Sequence, residues 1–173
     1  MVIQYTFSSL GAHMDKKVIL NKFIDELNRE LNTIAEAAFE AKEAATNPES
    51  KAENKYDTRG LEASYLAGAQ AKRAKELRQF INQLSRLQLR SYNKLEPIES
   101  MAFVEIESED AEKKYIFIVP KEGGMKIDIE GAAVLMISPE SPLGQGLWHK
   151  KEGDVFSIKL KGQEKEFEVI QVQ

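Results

Sequence analysis

The chain has 173 residues, 42% hydrophobic, 30% charged and 8% aromatic, enough for one ordinary domain or two small ones and too few for a large multidomain enzyme. It has no cysteine, which excludes disulfides, thiolate zinc sites and cysteine nucleophiles, and its two histidines, His13 and His149, do not make a metal cluster. The formal net charge of −4 divides into +3 over residues 14–94 and −7 over residues 95–173, which disfavours a strongly basic or sequence-specific DNA binder and points to two modules with different surroundings.

The longest uninterrupted apolar run, Ala132 to Ile137, is far short of the ~18 residues that suggest a membrane span. No segment near the start has signal-peptide form, so the expectation is a soluble, cytoplasmic protein without a membrane partner. Residues 1–13 share no period with the residues after them, and Gly11-Ala12-His13-Met14 resembles a vector-derived junction; this segment is expected to be such a leader or a disordered N-terminus.

From Asp15 to Ala45 there is no Pro or Gly, and apolar residues recur in steps of four and three: Leu20, Ile24, Leu27, Leu31, Ile34, Ala38, Ala41, Ala45. That spacing predicts a helix with one heptad seam. A second proline-free run, about Tyr56 to Tyr92, carries its own seam: Gly60, Ala63, Ala67, Gln70, Ala74, Leu77, Ile81, Leu84. Between the two lies a breaker cluster, Thr46-Asn47-Pro48-Glu49-Ser50.

In an antiparallel hairpin, facing residue numbers sum to a constant, and here the pairs from Ala45–Gly60 down to Leu20–Leu84 sum to 105 or 104 in alternation. The expectation is therefore an antiparallel coiled-coil hairpin over residues 14–94, with its tip near 46–57 and an arm on the order of 45 Å long at 1.5 Å per residue. Such a hairpin closes within one chain, so a monomer is expected. Residues 59–94 carry 8 basic and 2 acidic groups, among them Arg59, Lys72, Arg73, Lys75, Arg78, Arg86, Arg90 and Lys94, against 5 and 7 over residues 15–45. These basic groups either give the arm an electropositive side or pair across it.

After Leu95-Glu96-Pro97 the apolar period becomes two. Met101–Ile106, Lys114–Val119, Ala133–Ile137, Val155–Lys159 and Glu166–Val172 read as five strands. Turn signals stand at Ser108-Glu109-Asp110, Gly123-Gly124, Gly153-Asp154 and Lys161-Gly162-Gln163. Ser141-Pro142-Leu143-Gly144-Gln145-Gly146-Leu147-Trp148 reads as a short helix with Ser at the N-cap and Pro at N1, its Leu143 and Leu147 on a buried face. The fold class is thus α+β, with a mostly antiparallel sheet and one short helix over residues 95–173.

The segment Ser141-Pro142-Leu143-Gly144-Gln145-Gly146-Leu147-Trp148-His149-Lys150-Lys151-Glu152-Gly153-Asp154-Val155, followed by Glu166-Phe167-Glu168-Val169-Ile170, resembles the C-terminal domain of the bacterial Gre transcription factors, GreA and GreB. The resemblance is specific at this motif and architectural over most of the hairpin. It implies an FKBP-like C-terminal domain that docks on RNA polymerase, with Ser141, Pro142, Gln145, Trp148, His149 and Lys150 as the docking residues. Trp148 and His149 depart from the small or aliphatic residues common there in the family.

The resemblance further implies a hairpin that enters the polymerase secondary channel and presents tip carboxylates to the backtracked RNA 3′ end. Acids suit that place because Mg²⁺ prefers hard oxygen ligands and keeps waters, one of which can attack the RNA. The corresponding stretch here is Glu49-Ser50-Lys51-Ala52-Glu53-Asn54-Lys55-Tyr56-Asp57. Aligned on Tyr56, the first family acid falls on Glu49 and the second on Ala52; aligned on Glu53-Asn54, the second is kept and the first becomes Ser50. Glu49 and Glu53 make a substitute pair, four apart, if Pro48 opens the second helix.

Two outcomes stand within this reading: stimulated cleavage through Glu49 and Glu53, or channel occupancy that modulates or inhibits transcription without cleavage. In both, the chain has no catalytic residues and no cofactor of its own, binds no metal stably alone, and at most shares the Mg²⁺ of the polymerase active site. The alternative from another class is an FKBP-like peptidyl-prolyl isomerase or chaperone with a helical arm.

Overall fold

A computed structural model describes residues 14–46, 59–160 and 162–173. The leader, most of the expected tip with Glu49 and Glu53, and Lys161 lie outside the described residues. Element order is α1 (Lys16–Thr46), α2 (Arg59–Leu84), β1 (Phe103–Ser108), β2 (Lys113–Ile118), β3 (Met125–Ile129), β4 (Ala132–Ile137), α3 (Pro142–Leu147), β5 (Val155–Leu160) and β6 (Gln163–Val172). The chain divides into two compact units. One holds Ile24–Leu87, and the other holds the described residues up to Phe23 together with Gln88–Gln173. These boundaries differ from the expected ones, 14–94 and 95–173.

Asp15 caps α1: its Oδ1 accepts from the Lys17 backbone N–H at 2.8 Å and its carbonyl from that of Ile19 at 3.1 Å. In the helical unit the seam appears as periodicity requires. Leu27, Leu31, Ala41, Leu77, Ile81 and Leu84 are buried, while Ile24, Ile34, Ala38, Ala45, Gly60, Ala63, Ala67, Gln70 and Ala74 are half-buried. Arg73 Nη2 lies 3.3 Å from Glu30 Oε1, a pair whose numbers sum to 103 and so flanks the expected register. Where the seam is Ala and Gly, large apolar side chains sit outside it, and Phe39, Leu61, Tyr65 and Leu66 are exposed.

The second helix is shorter than the sequence suggests, ending at Leu84 rather than near Tyr92. The last turn tightens: Arg86 N–H donates to Gln83 O and Leu87 N–H to Leu84 O, each at 3.1 Å. No Gly or Pro marks this end. The stretch beyond it is held by tertiary bonds instead, Tyr92 being buried with its hydroxyl donating to Ser100 O at 3.1 Å.

The sheet has six strands in the order β3-β4-β2-β1-β6-β5. The sequence reading of five strands missed β3, a five-residue alternation (Met125, Lys126, Ile127, Asp128, Ile129) between Gly124 and Gly131. Its pairing with β4 is antiparallel, as are the others except β2 with β4, which are parallel. The β1–β6 ladder shifts register between Glu105 and Ile106. One face carries the main core, with Ile98, Val104, Ile106, Ile116, Ile118, Leu147, Phe156, Phe167 and Val169 buried together. Side chains of this kind contribute about 1.5–3 kcal/mol each when fully buried.

The opposite face buries Phe103, Phe117, Ile127, Ile129, Val134 and Met136. It also holds Glu105, whose carboxylate accepts from Lys113 Nζ at 2.7 Å, a bond that raises the Lys113 pKa. The same unit buries Met14, Ile19, Leu20 and Phe23 from α1 and the residue pair before it. Lysines tie these turns to the sheet domain: Lys22 donates to Asp128 O, and Lys16 to Gln173 O at 2.9 Å and Arg90 O at 2.6 Å.

Candidate functional site

The motif around α3 begins with a serine that works twice. Ser141 Oγ donates to Ser138 O at 2.8 Å and accepts from the Gly144 N–H at 3.0 Å, closing the N-terminus of α3, and Pro142 takes the position where no donor is needed. Gln145 N–H donates to Ser141 O at 2.8 Å and Trp148 N–H to Gly144 O at 2.9 Å. Leu147 is fully buried, and Leu143 and Trp148 pack partly against the same core, as the four-residue spacing of the leucines requires.

Two glycines in α3 are there for space. A Cβ on Gly144 would run into the Ser138 carbonyl oxygen, and one on Gly146 would stand 2.8 Å from both Ile158 Cγ2 and Phe156 Cδ2. The helix therefore lies directly on β5. Its end is fixed by a two-way bridge: His149 N–H donates to Ile98 O at 2.9 Å and Ile98 N–H to Lys150 O at 2.8 Å. To make that bridge His149 adopts φ 62°, a left-handed conformation that few non-glycine residues take. The turn into β5 is made by Gly153, at φ 87°, and by Asp154, whose Oδ2 accepts from the Lys151 N–H at 2.8 Å.

The six expected docking residues thus lie on one rigid segment, but they divide. Pro142, Gln145 and His149 are exposed, and the Gln145 amide donates to Glu140 O at 3.0 Å. Ser141, Trp148 and Lys150 are half-buried. Ser141 is engaged in the cap. Trp148 lies partly in the core with its ring 5.3 Å from that of His149, tilted by 59°, and Lys150 Nζ donates to Val155 O at 3.4 Å. Of the six, Pro142, Gln145 and His149 therefore make the exposed surface.

Glu49 and Glu53 lie outside the described residues. Among the described residues no group of three or more His, Asp or Glu side chains is placed to hold a metal ion. Nor is any described helix long and apolar enough to cross a membrane. A feature the sequence did not disclose is a cationic cluster of Lys16, Arg90 and Tyr92. Lys16 and Arg90 are 74 residues apart, on stretches with no common pattern, so no local signal announces it.

No curated protein matches the chain in sequence. Among solved structures it is similar to the GreA factor homolog 1 (Gfh1) protein of Thermus thermophilus, at 23% identity over 87% of this chain and 94% of that one, with a TM-score of 0.38. Gfh1 of Thermus aquaticus gives 24% identity over 86% and 92% of the two chains, with a TM-score of 0.38. The GreA/GreB elongation factor from Nitrosomonas europaea gives 22% over 56% and 78%, with a TM-score of 0.35. Residues 97–173, which include the whole of the α3 motif, match the family model described as transcription elongation factor, GreA/GreB, C-terminal. By that match residues 97–173 are a domain of the GreA/GreB C-terminal kind.

Proposed function

We propose that the chain acts on RNA polymerase as a cytoplasmic, monomeric factor, docking through its FKBP-like C-terminal domain and inserting the helical hairpin into the secondary channel. The observation that carries this is the family match over residues 97–173, within which the capped helix α3 presents Pro142, Gln145 and His149 on a rigid support. A rigid element is what a docking surface needs, because little conformational entropy is lost when it binds.

On this reading the chain is not an enzyme by itself. The catalytic metal and its aspartates belong to the polymerase, and Glu49 and Glu53 are the acids the tip offers to a shared Mg²⁺. The test is RNA release from backtracked complexes with Mg²⁺. If the tip shares the metal, the protein speeds release of short products, and Glu49→Ala or Glu53→Ala each removes most of the gain while binding persists. If the hairpin only occupies the channel, both variants inhibit as the wild type does, and Ala52→Glu becomes the substitution expected to confer cleavage. Strong wild-type cleavage that survives the double alanine variant overturns a role for the tip glutamates.

The isomerase alternative requires an aromatic-lined pocket. Phe103, Phe117 and Phe167 are at most 1% exposed and Phe156 is buried beside Phe167, their rings 5.8 Å apart, so these aromatics serve the core. A prolyl-isomerisation assay is expected to give no turnover above the uncatalysed rate.

A further inference from the structure

Leu95 is 78% exposed, more than any other large apolar side chain among the described residues. A lone leucine at a surface means little in itself. This one is held in place by its own turn. Leu95 N–H donates to Asn93 Oδ1 and Glu96 N–H to Asn93 O, each at 3.0 Å, and Asn93 N–H donates to Glu96 Oε2 at 2.8 Å. Pro97 then fixes the exit from the turn. Such a position ordinarily takes Gly, Asn, Asp or Ser, and a leucine this exposed contributes little to the core.

The turn is also joined to the end of α3. Lys94 Nζ lies 3.1 Å from Glu152 Oε1, and Ile98, three residues beyond Leu95, makes the two-way backbone bridge to His149 and Lys150. Three residues reach at most about 10 Å, so Leu95 and His149 belong to one patch, well inside the roughly 800 Å² that a specific interface covers on each partner. The charged groups beside Leu95 are already engaged, Lys94 with Glu152 and Glu96 with the Asn93 N–H. What the turn adds to exposed Pro142, Gln145 and His149 is therefore apolar area rather than charge.

We propose that Leu95 is the apolar anchor of the surface that α3 presents, seated on docking in an apolar pocket of the partner protein. This anchor rests on the polymerase reading, in which that partner is RNA polymerase. On docking the side chain leaves water while the closed turn needs no reordering, so little conformational entropy opposes the contact. Gln145 and His149 supply the polar neighbours that accompany an apolar contact in a protein interface.

The test is equilibrium binding of the full chain to purified bacterial core RNA polymerase, for the wild type, Leu95→Ser and Leu95→Met. Saturable wild-type binding is expected, about tenfold weaker in Leu95→Ser and within about twofold in Leu95→Met, which keeps the apolar volume. Urea unfolding curves of the three proteins are expected to coincide, because the site is exposed. Hydroxyl-radical footprinting of the wild-type complex gives an answer that depends on no variant: Leu95 is expected to lose most of its reactivity on binding. Saturable wild-type binding with undiminished affinity in Leu95→Ser, or with Leu95 as reactive as in the free chain, overturns the anchor and leaves the polymerase reading standing. A loss in Leu95→Met as large as in Leu95→Ser overturns it as well. Absence of wild-type binding overturns the polymerase reading and the anchor with it.

Discussion

Ser141 and Gly144 show how two small residues set the α3 motif. Ser141→Ala removes the acceptor for the Gly144 N–H and is expected to cost about 1 kcal/mol in urea unfolding. Gly144→Ala forces α3 off the Ser138 carbonyl and is expected to cost about 1–3 kcal/mol. Lys16 gives a pH signature. Its folded pKa, about 8, is below its unfolded value of 10.5, so between those pH values the unfolded chain binds more protons and stability rises with pH. Tyr115, with a pKa raised by burial, works in the opposite sense above pH 10. The two are separated by comparing wild type with Lys16→Met. The wild type is expected to gain stability relative to the variant from pH 7 to pH 10, and parallel curves would remove the charge strain assigned to Lys16. The Ser-Pro cap was legible because capping is a local matter of side-chain chemistry. The need for glycine at 144 and 146 was not, since it depends on how closely α3 lies on the loop and strand beneath it.

In the helical unit, the heptad seams could be read residue by residue, because burial on a helix follows a period of about 3.6 set by the backbone. Leu31 is buried in that seam, and Leu31→Lys is expected to destabilise the hairpin by about 2–4 kcal/mol by placing a charge there. Register is checked independently by cysteines at Ala41 and Ala63. Oxidation is expected to give an intramolecular cross-link that leaves the chain monomeric on gel filtration, whereas a shifted register would cross-link at another spacing or between chains. The end of α2 and strand β3 were not legible. Residues 85–92 keep helical composition and leave the helix because Arg90 and Tyr92 are engaged elsewhere. β3 is only five residues long, and its pairing with β4 supplies what so short an alternation does not specify alone.

On the scale of the whole molecule, the change of apolar period after Pro97 correctly separated helix from sheet, but the compact units do not follow that boundary. Ile19, Leu20 and Phe23 are buried in the unit that contains the sheet, and Lys16 and Lys22 bond to it. An isolated fragment of residues 95–173 lacks those side chains. It is expected to unfold at lower urea than the full chain, by circular dichroism, and docking is therefore best tested on the full chain. If the chain engages RNA polymerase through the exposed side of α3, the affinity of the full chain for purified bacterial core enzyme must depend on that surface. The decisive comparison is with the double variant Gln145→Glu, His149→Gly. Both residues are exposed, and glycine suits the left-handed backbone at 149, so unfolding curves should coincide within about 0.5 kcal/mol. Saturable wild-type binding is expected, with at least about a tenfold loss in the variant, equivalent to 1.4 kcal/mol. No wild-type binding, or equal affinity for the two proteins, would contradict docking through α3.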